Sequence, residues 1–480
     1  MRGWLIWIVV FIAAAAVLVL EIVAGRILAP YVGVTLQSFT AIIGTVLAAI
    51  ALGAWLGGRL ADRSDPISSL GPVLALAAVL AVLSPALVYM VGPSLRGTSP
   101  ITTVGLAAIG FFAPAAVLSM VTPLAAKIQL TSLSSTGSVV GSLSAVGTGG
   151  ALVGTFFTGF VLIASVPSRP ITWFVGVVLV ILSAVVAVPS SRRSIILGAV
   201  VLLVISILGS AAIAGVCDTE TAYYCVRVEE DPERASGRTL ILDTSRHSYV
   251  DVEDPTHLGF RYSRAMAAVV AEIVTDGPID ALFVGGGGFT IPRYLQATYG
   301  GTSTVLELDP DLIRVAEEDL GLVRDDWLRI EAGDARLSIH DEASNAYDVV
   351  VGDAFSSLAV PWHLTTEEFL KQVEETLRSD GIYVMNVIDR PEARFVHAEM
   401  QTLGAVFDHV AVIAPAAYLE GAGGGNFVLV GSTLPLDALL AGGVLPSGEH
   451  VMIDADALKW SSGAIVLTDE FAPTDQLFQR

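Results

Sequence analysis

The sequence predicts a multi-pass α-helical membrane domain of about seven spans (residues 1–216). A small antiparallel β cap (217–265) and an α/β Rossmann-like domain (266–480) follow it. Three observations predict this order. Residues 1–216 hold nine Lys/Arg and three Asp/Glu among mostly apolar or small residues, whereas 217–480 hold 17 and 44. The formal charge of −21 therefore divides into about +6 and −27, and all seven histidines fall in the second part. Past the cap, apolar strand-like runs alternate with helical patterns, which implies a mostly parallel sheet covered on both faces. A chain of 480 residues has room for two or three domains. The acidic excess argues against nucleic acid as a partner and suits cationic ligands, although a solvated acidic surface needs no ligand.

Seven stretches approach the roughly 20 apolar residues that a spanning helix needs, at about 4–24, 38–58, 70–92, 102–125, 139–165, 171–188 and 194–215. With six spans behind it, the first reads as a retained signal-anchor. Trp4, Trp7 and Trp173 sit near span ends, where amphipathic rings favour the interface. Small residues crowd the fifth span ("GSLSAVGTGGALVGTFFTG"), allowing close helix approach. Glu21 is the single acid within a span, either a functional group or half of an interfacial pair with Arg26. Arg2, Arg59, Arg63, Lys127, Arg192 and Arg193 fall on one side, and Arg26, Arg96 and Arg169 on the other. This asymmetry places the N-terminus in the cytoplasm and, after seven spans, the acidic half outside. The loop "GGRLADR" (57–63) is similar to a cytoplasmic loop of major facilitator transporters. Cys217 and Cys225, eight positions apart, either pair in an oxidising compartment or remain two thiols, and two cysteines alone make no metal site.

In the soluble half, "TAYYCVRVEE", "RTLILDT" and "HSYVDVED" read as the strands of the cap. Seven further strands follow: "DALFVGG", "STVLELD", "WLRIEAGD", "YDVVVGDAF", "GIYVMNVID", "HVAVIAP" and "NFVLVGS". Helices fill the gaps, clearest in "TTEEFLKQVEETLRSDG", with threonine at the start and glycine at the end. Ligands in such sheets bind at the carboxyl ends of strands. Four of those ends carry suitable residues. Gly285, Gly286 and Gly287 let backbone approach a cofactor closely. Glu307, followed by Asp309, is placed to accept from ribose hydroxyls. Asp334, before Ala335, is placed to accept from an adenine amino group, and Asp353 points into the same crevice. A single acid after a strand is as often a helix cap. Four strand ends in register point to one nucleoside site. The third glycine of a dinucleotide fingerprint is replaced by Thr290, so a nucleoside without phosphates fits better: S-adenosylmethionine or its decarboxylated form.

The motifs "GGGG" (285–288), "LELD" (306–309), "GDA" (333–335), "GDAF" (352–355) and "LTTEEF" (364–369) resemble those of the spermidine synthase family of aminopropyltransferases. That resemblance implies a class I methyltransferase-type fold over 220–432. With "LEIVAGRILAPYVG" and "ALGAWLGGRLADR", it also extends to proteins that fuse a membrane domain to such a synthase. It implies Asp353 as the catalytic acid and Tyr262 as a retained tyrosine. It also marks departures. The family's GGGDGG loop has its acid where this chain has Gly288, and a second acid that holds the amine acceptor is replaced by Ser356. His247 stands for a glutamine that contacts the cofactor, and Arg264 for an acid near Tyr262.

Aminopropyl transfer is an attack by an amine on the carbon beside a sulfonium, and it needs a base and acids that position both cationic substrates. Three readings follow. The first is a membrane-anchored aminopropyltransferase acting on a small-molecule amine or polyamine. The second is a methyltransferase on the same scaffold. The third is a sensor or transporter module that binds a nucleoside or polyamine without turnover. All imply a cell-membrane protein in a lipid bilayer, with no metal, and allow a homodimer. The basic-loop count favours the soluble half outside, and the chemistry favours the cytoplasm.

Overall fold

The computed structural model describes residues 3–97, 99–130, 136–187, 193–273, 277–354, 360–437 and 445–479. The chain divides into two compact units, Met1–Arg227 and Val228–Arg480.

Among the described residues of the first unit, six helices are long and apolar enough to cross a membrane: α1 (Gly3–Val32), α2 (Leu36–Arg63), α3 (Pro66–Ser94), α4 (Pro100–Gln129), α5 (Thr136–Ser165) and α6 (Ser168–Ala187). A seventh helix, α7 (Arg193–Ala212), matches the last expected span, with Leu197–Ala212 as its shorter apolar stretch. Local chemistry sets the starts. Thr35 accepts from the Ser38 N–H at 3.2 Å while Ser38 Oγ accepts from the Thr35 N–H at 2.9 Å, a reciprocal cap that begins α2. Asp65 accepts from the Ser68 N–H, with Pro66 in the first helical position, and so begins α3. The small residues of α5 bring it against α1. A Cβ on Gly150 would lie 2.1 Å from the Phe11 carbonyl oxygen, and one on Gly154 2.6 Å from that of Ala15.

The expected Glu21–Arg26 pair is not the arrangement found. Arg26 instead donates to the carbonyls of Ala222 (2.8 Å) and Thr221, and its guanidinium lies 3.8 Å from Glu220. Five residues of helix turn a side chain by about 140°, so Arg26 faces away from Glu21. Glu220 also accepts from the Ser168 N–H at 3.1 Å and from its hydroxyl. The segment held in this way is closed by a Cys217–Cys225 disulfide and by the pairing of β1 (Thr219–Glu220) with β2 (Cys225–Asp231).

The second unit opens with the end of β2 and an antiparallel hairpin of β3 (Arg234–Leu242) and β4 (Ser245–Asp251). An eight-stranded sheet follows: β5 (Ala281–Val284), β6 (Ser303–Glu307), β7 (Leu328–Ala332), β8 (Tyr347–Gly352), β9 (Leu377–Asp389), β10 (His409–Pro415), β11 (Gly425–Ser432) and β12 (Glu449–Ile453). Its order is β12–β10–β11–β9–β8–β5–β6–β7. Pairing is parallel from β9 to β7 and antiparallel through β11, β10 and β12. Chain order reverses direction between β8 and β5–β6, so the crevice at their carboxyl ends is a switch point of the doubly wound type. The apolar runs make this sheet the core. Val284, Leu306, Val350 and Val387 are buried, and Phe369 and Phe395 pack into the same cluster.

The helices that bear on the site are α8 (Arg261–Ile273), α9 (Thr290–Tyr299), α10 (Pro310–Asp319), α11 (Ala335–Ser338), α12 (Glu367–Thr376) and α13 (Arg394–Val406). Thr366 caps α12 as the sequence suggests, by accepting from the Phe369 N–H. The helix stops at Thr376 rather than near Gly381, because Leu377 already pairs with Tyr347 of β8 and extends β9. Strand β12 has no counterpart in the sequence reading.

Candidate functional site

The glycine loop is fixed from two sides. The Gly285 N–H bonds the Leu306 carbonyl at 2.9 Å, and the Asp353 N–H bonds the Val284 carbonyl at 3.0 Å. The ends of β6, β5 and β8 are stitched together by these bonds. Gly285 has φ +96°, and a Cβ there would sit 2.6 Å from the Asp353 carbonyl oxygen, so both conformation and space demand glycine. Phe289, fully buried with φ +56°, turns the loop into α9. A non-glycine residue held in the left-handed region costs about 1–3 kcal/mol and clusters at functional sites.

Glu307 is buried at the end of β6 and braces this loop. One carboxylate oxygen accepts from the N–H groups of Gly286 (2.8 Å) and Gly287 (3.1 Å), and the other from the Asp309 N–H (2.9 Å). Burial pushes its carboxyl up from the usual range, while the three N–H donors pull it down. A carboxylate offers about four lone-pair directions, so some acceptor capacity remains for a ligand hydroxyl. Asp309 is fully buried and caps α10 by accepting from the Asp311 N–H at 3.0 Å. Asp334 caps α11 in the same way through the Arg336 N–H (2.9 Å), and one of its oxygens lies 3.5 Å from His363 Nε2. Ala335 beside it is buried. The Gly333 N–H, bonded to the Glu307 carbonyl at 2.9 Å, ties the end of β7 to that of β6.

Gly288 is held by the cap. Its N–H donates to Ser248 Oγ at 3.1 Å, and a Cβ added there would lie 2.8 Å from the Ser248 Cβ and 3.0 Å from a Val250 methyl. Ser248 Oγ also lies 3.0 Å from Nδ1 of His247, whose imidazole burial pushes down to about 4. His247 is therefore neutral at physiological pH.

Asp353 has a different environment. One oxygen accepts from the Tyr262 hydroxyl at 3.1 Å and the other from the Asn386 amide at 2.9 Å, whose own oxygen accepts from Asn426 at 2.9 Å. Burial pushes the Asp353 carboxyl up to about 6 against the opposing pull of those two donors. Burial and the neighbouring Asp353 raise the Tyr262 phenol well above its ordinary value. Asp353, Tyr262, His247 and Asn386 line one cavity of about 300 Å³ with Arg246 and Phe260. Ser356 lies outside the described residues.

The geometry thus collects Gly285–Gly287, Glu307 and Asp309 at one end of the crevice and Asp353 and Tyr262 at the other, with His247 between them, its ring against Gly287 and on the Asp353 cavity. Asn386, Asn426, Ser248, Arg246 and His363 were missed by sequence reasoning. A lone asparagine in the apolar run "YVMNVID" was the one legible signal among them. Arg264 donates to the carbonyls of Leu258 and Gly259, both at 2.9 Å.

No family model matches the chain. A polyamine aminopropyltransferase from Vibrio vulnificus is 26% identical over 160 residues, covering 33% of this chain and 53% of that protein. An eEF1A lysine and N-terminal methyltransferase from Xenopus laevis is 24% identical over 162 residues, covering 29% of this chain and 23% of that one. Among solved structures, a probable spermidine synthase from Corynebacterium glutamicum aligns with 28% identity and a TM-score of 0.48, covering 52% of this chain and 95% of that one. The chain spans about half the length of the Vibrio relative it matches.

Proposed function

We propose that this chain, a spermidine synthase-like protein with a front half of apolar helices, is a membrane-anchored transferase. It binds an S-adenosylmethionine-derived sulfonium nucleoside at the glycine loop and transfers that nucleoside's aminopropyl group to an amine. The observation that carries this reading is Asp353: a carboxylate at about 6, held by Tyr262 and Asn386 on a cavity, with its main-chain carbonyl against Gly285. A group at that value is largely ionised at neutral pH yet basic enough to take a proton in a transition state. The amine nitrogen attacks the carbon next to the sulfonium, the carbon–sulfur bond breaks, and the proton released from the amine passes to Asp353. Gly285, Gly286 and Gly287 let the nucleoside lie against backbone, Glu307 offers its remaining acceptor capacity to the ribose, and Asp334 with Ala335 receives the adenine. The helices of the first unit anchor the enzyme in the bilayer.

A second reading, methyl transfer from S-adenosylmethionine, is favoured by one observation. Gly288 carries no acid for an aminopropyl end, and the Ser248 packing leaves no room for one. The two reactions leave different nucleosides. The full-length protein, purified in detergent, is incubated with each sulfonium donor and a panel of amines. Release of methylthioadenosine supports aminopropyl transfer, and release of S-adenosylhomocysteine supports methyl transfer. Release of neither, together with no binding of methylthioadenosine, overturns both.

On sidedness, the Cys217–Cys225 disulfide supports the oxidising side for the end of the first unit, in line with the basic-loop count. A maleimide reagent applied to unreduced membranes should label neither cysteine. Labelling of both would place that segment on the reducing side.

A further inference from the structure

Asp353 is the one carboxylate among the described residues that line the 300 Å³ cavity, and Arg246 and Arg261 line it too. Gly288 adds no charge to the neighbouring loop. Arg261 is neutralised by Glu449 at 2.7 Å. Arg246 is not matched in the same way. Its hydrogen bond goes to the neutral hydroxyl of Thr239 at 3.3 Å, and its guanidinium lies 5.6 Å from the Phe260 ring centre. The Asp231 carboxylate, its Coulombic neighbour, also takes the Tyr249 hydroxyl at 2.7 Å.

A diamine carries an ammonium at each end and needs an acid at each. Here one end finds Asp353, and the other faces a guanidinium, a like-charge placement that opposes binding. A guanidinium is the donor of choice for a carboxylate, which it grips with two parallel hydrogen bonds.

We propose that this cavity takes an α-amino carboxylate, with its carboxylate on Arg246 and its amine toward Asp353, rather than the end of a polyamine. The inference rests on a nucleoside transferase at this site and names its ligand chemistry: the donor-tail form goes with methyl transfer, and the acceptor form with aminopropyl transfer to an amino acid. Two sources share that chemistry: the amino-acid tail of intact S-adenosylmethionine, or a free amino acid acting as acceptor.

The test is calorimetry of the full-length protein in detergent. Methylthioadenosine, which lacks the tail, reports the nucleoside pocket alone, and failure of all nucleosides to bind sinks the transferase reading itself. Once methylthioadenosine is found to bind, two outcomes support the proposal. Either S-adenosylmethionine binds at least about tenfold tighter than its decarboxylated form, which assigns the tail, or ornithine binds the methylthioadenosine complex while putrescine does not, which assigns the acceptor. In each case Arg246→Ala must erase the preference and Arg246→Glu invert it, with methylthioadenosine affinity unchanged as the control for folding. A preference for the decarboxylated donor or for putrescine, no preference in either pair, or a preference that survives Arg246→Ala overturns the proposal and leaves the transferase reading standing.

Discussion

The two ends of the crevice hold their carboxylates by different means. At the glycine loop, main-chain N–H groups hold the acids: Gly286, Gly287 and Asp309 on Glu307, Asp311 on Asp309, and Arg336 on Asp334. At the cavity, side chains hold Asp353, namely the Tyr262 hydroxyl and the Asn386 amide. Main-chain donors cannot be substituted away, so the geometry of the first end belongs to the fold. Side-chain donors can be exchanged one at a time, so the basicity and charge of the second end are adjustable. On that view one scaffold can keep a nucleoside site and change its reaction, because the donors to the acid at the second end are side chains and those at the first are main chain.

The largest expected effect comes from the replaceable end. Asp353→Asn removes the proton acceptor, and turnover should fall by about 10²–10⁴-fold, the usual worth of a general base. Methylthioadenosine should bind as it does to the parent. A variant that loses nucleoside binding as well, in the same calorimetric titration, would place Asp353 in the nucleoside pocket and erase the distinction between the ends. Next in size is Glu307→Ala at the other end. It leaves three N–H donors without their acceptor, at about 1–3 kcal/mol for each one that stays buried and unpaired. Nucleoside binding should be abolished and the thermal midpoint lowered, with Glu307→Gln intermediate in both. Unchanged affinity in the alanine variant would mean that the loop holds its shape without this brace.

Much of the architecture was legible because it is written in periodicity. Long apolar runs marked the spans, and the alternation of runs and helical patterns marked the sheet. The strand ends carrying Gly285, Glu307, Asp334 and Asp353 were legible because glycines and acids interrupt apolar runs. What Arg26 binds was not legible, since its partners lie nearly 200 residues away at Thr221 and Ala222. The sequence likewise gave no hint that Ser248 packs on Gly288. That contact depends on how the β3–β4 hairpin meets the loop, 40 residues on. Strand β12 was missed because its five residues, "EHVMI", are only partly apolar and gain their strand character from pairing with β10.

The Ser248–Gly288 contact gives the third prediction, a stability effect of medium size. Gly288→Asp forces a Cβ to within 2.8 Å of the Ser248 Cβ, and overpacking of this kind costs about 1–3 kcal/mol. The single variant should melt below the parent. The double variant Ser248→Gly/Gly288→Asp should recover part of the loss, because it removes the obstructing side chain. If the single variant is as stable as the parent, packing is not what keeps an acid out of this loop. If the double variant gains affinity for the decarboxylated donor, the loop's charge alone separates the two donors.

The smallest effect is the most diagnostic of how Asp353 is tuned. Its carboxyl must be ionised to accept a proton, so kcat/KM should fall as the pH drops through about 6. His247 cannot produce this limb, because burial holds its imidazole down to about 4. Asn386 and Tyr262 donate to the ionised form of Asp353 and so lower its value against burial. Removing either donor, as Asn386→Leu or Tyr262→Phe, should move the acid limb upward. Asn426→Ala should move it less, since Asn426 reaches Asp353 only through Asn386. A downward shift in any of the three would contradict the sign of a hydrogen bond to a carboxylate and assign the limb to another group. A limb near 6 that persists in Asp353→Asn would do the same.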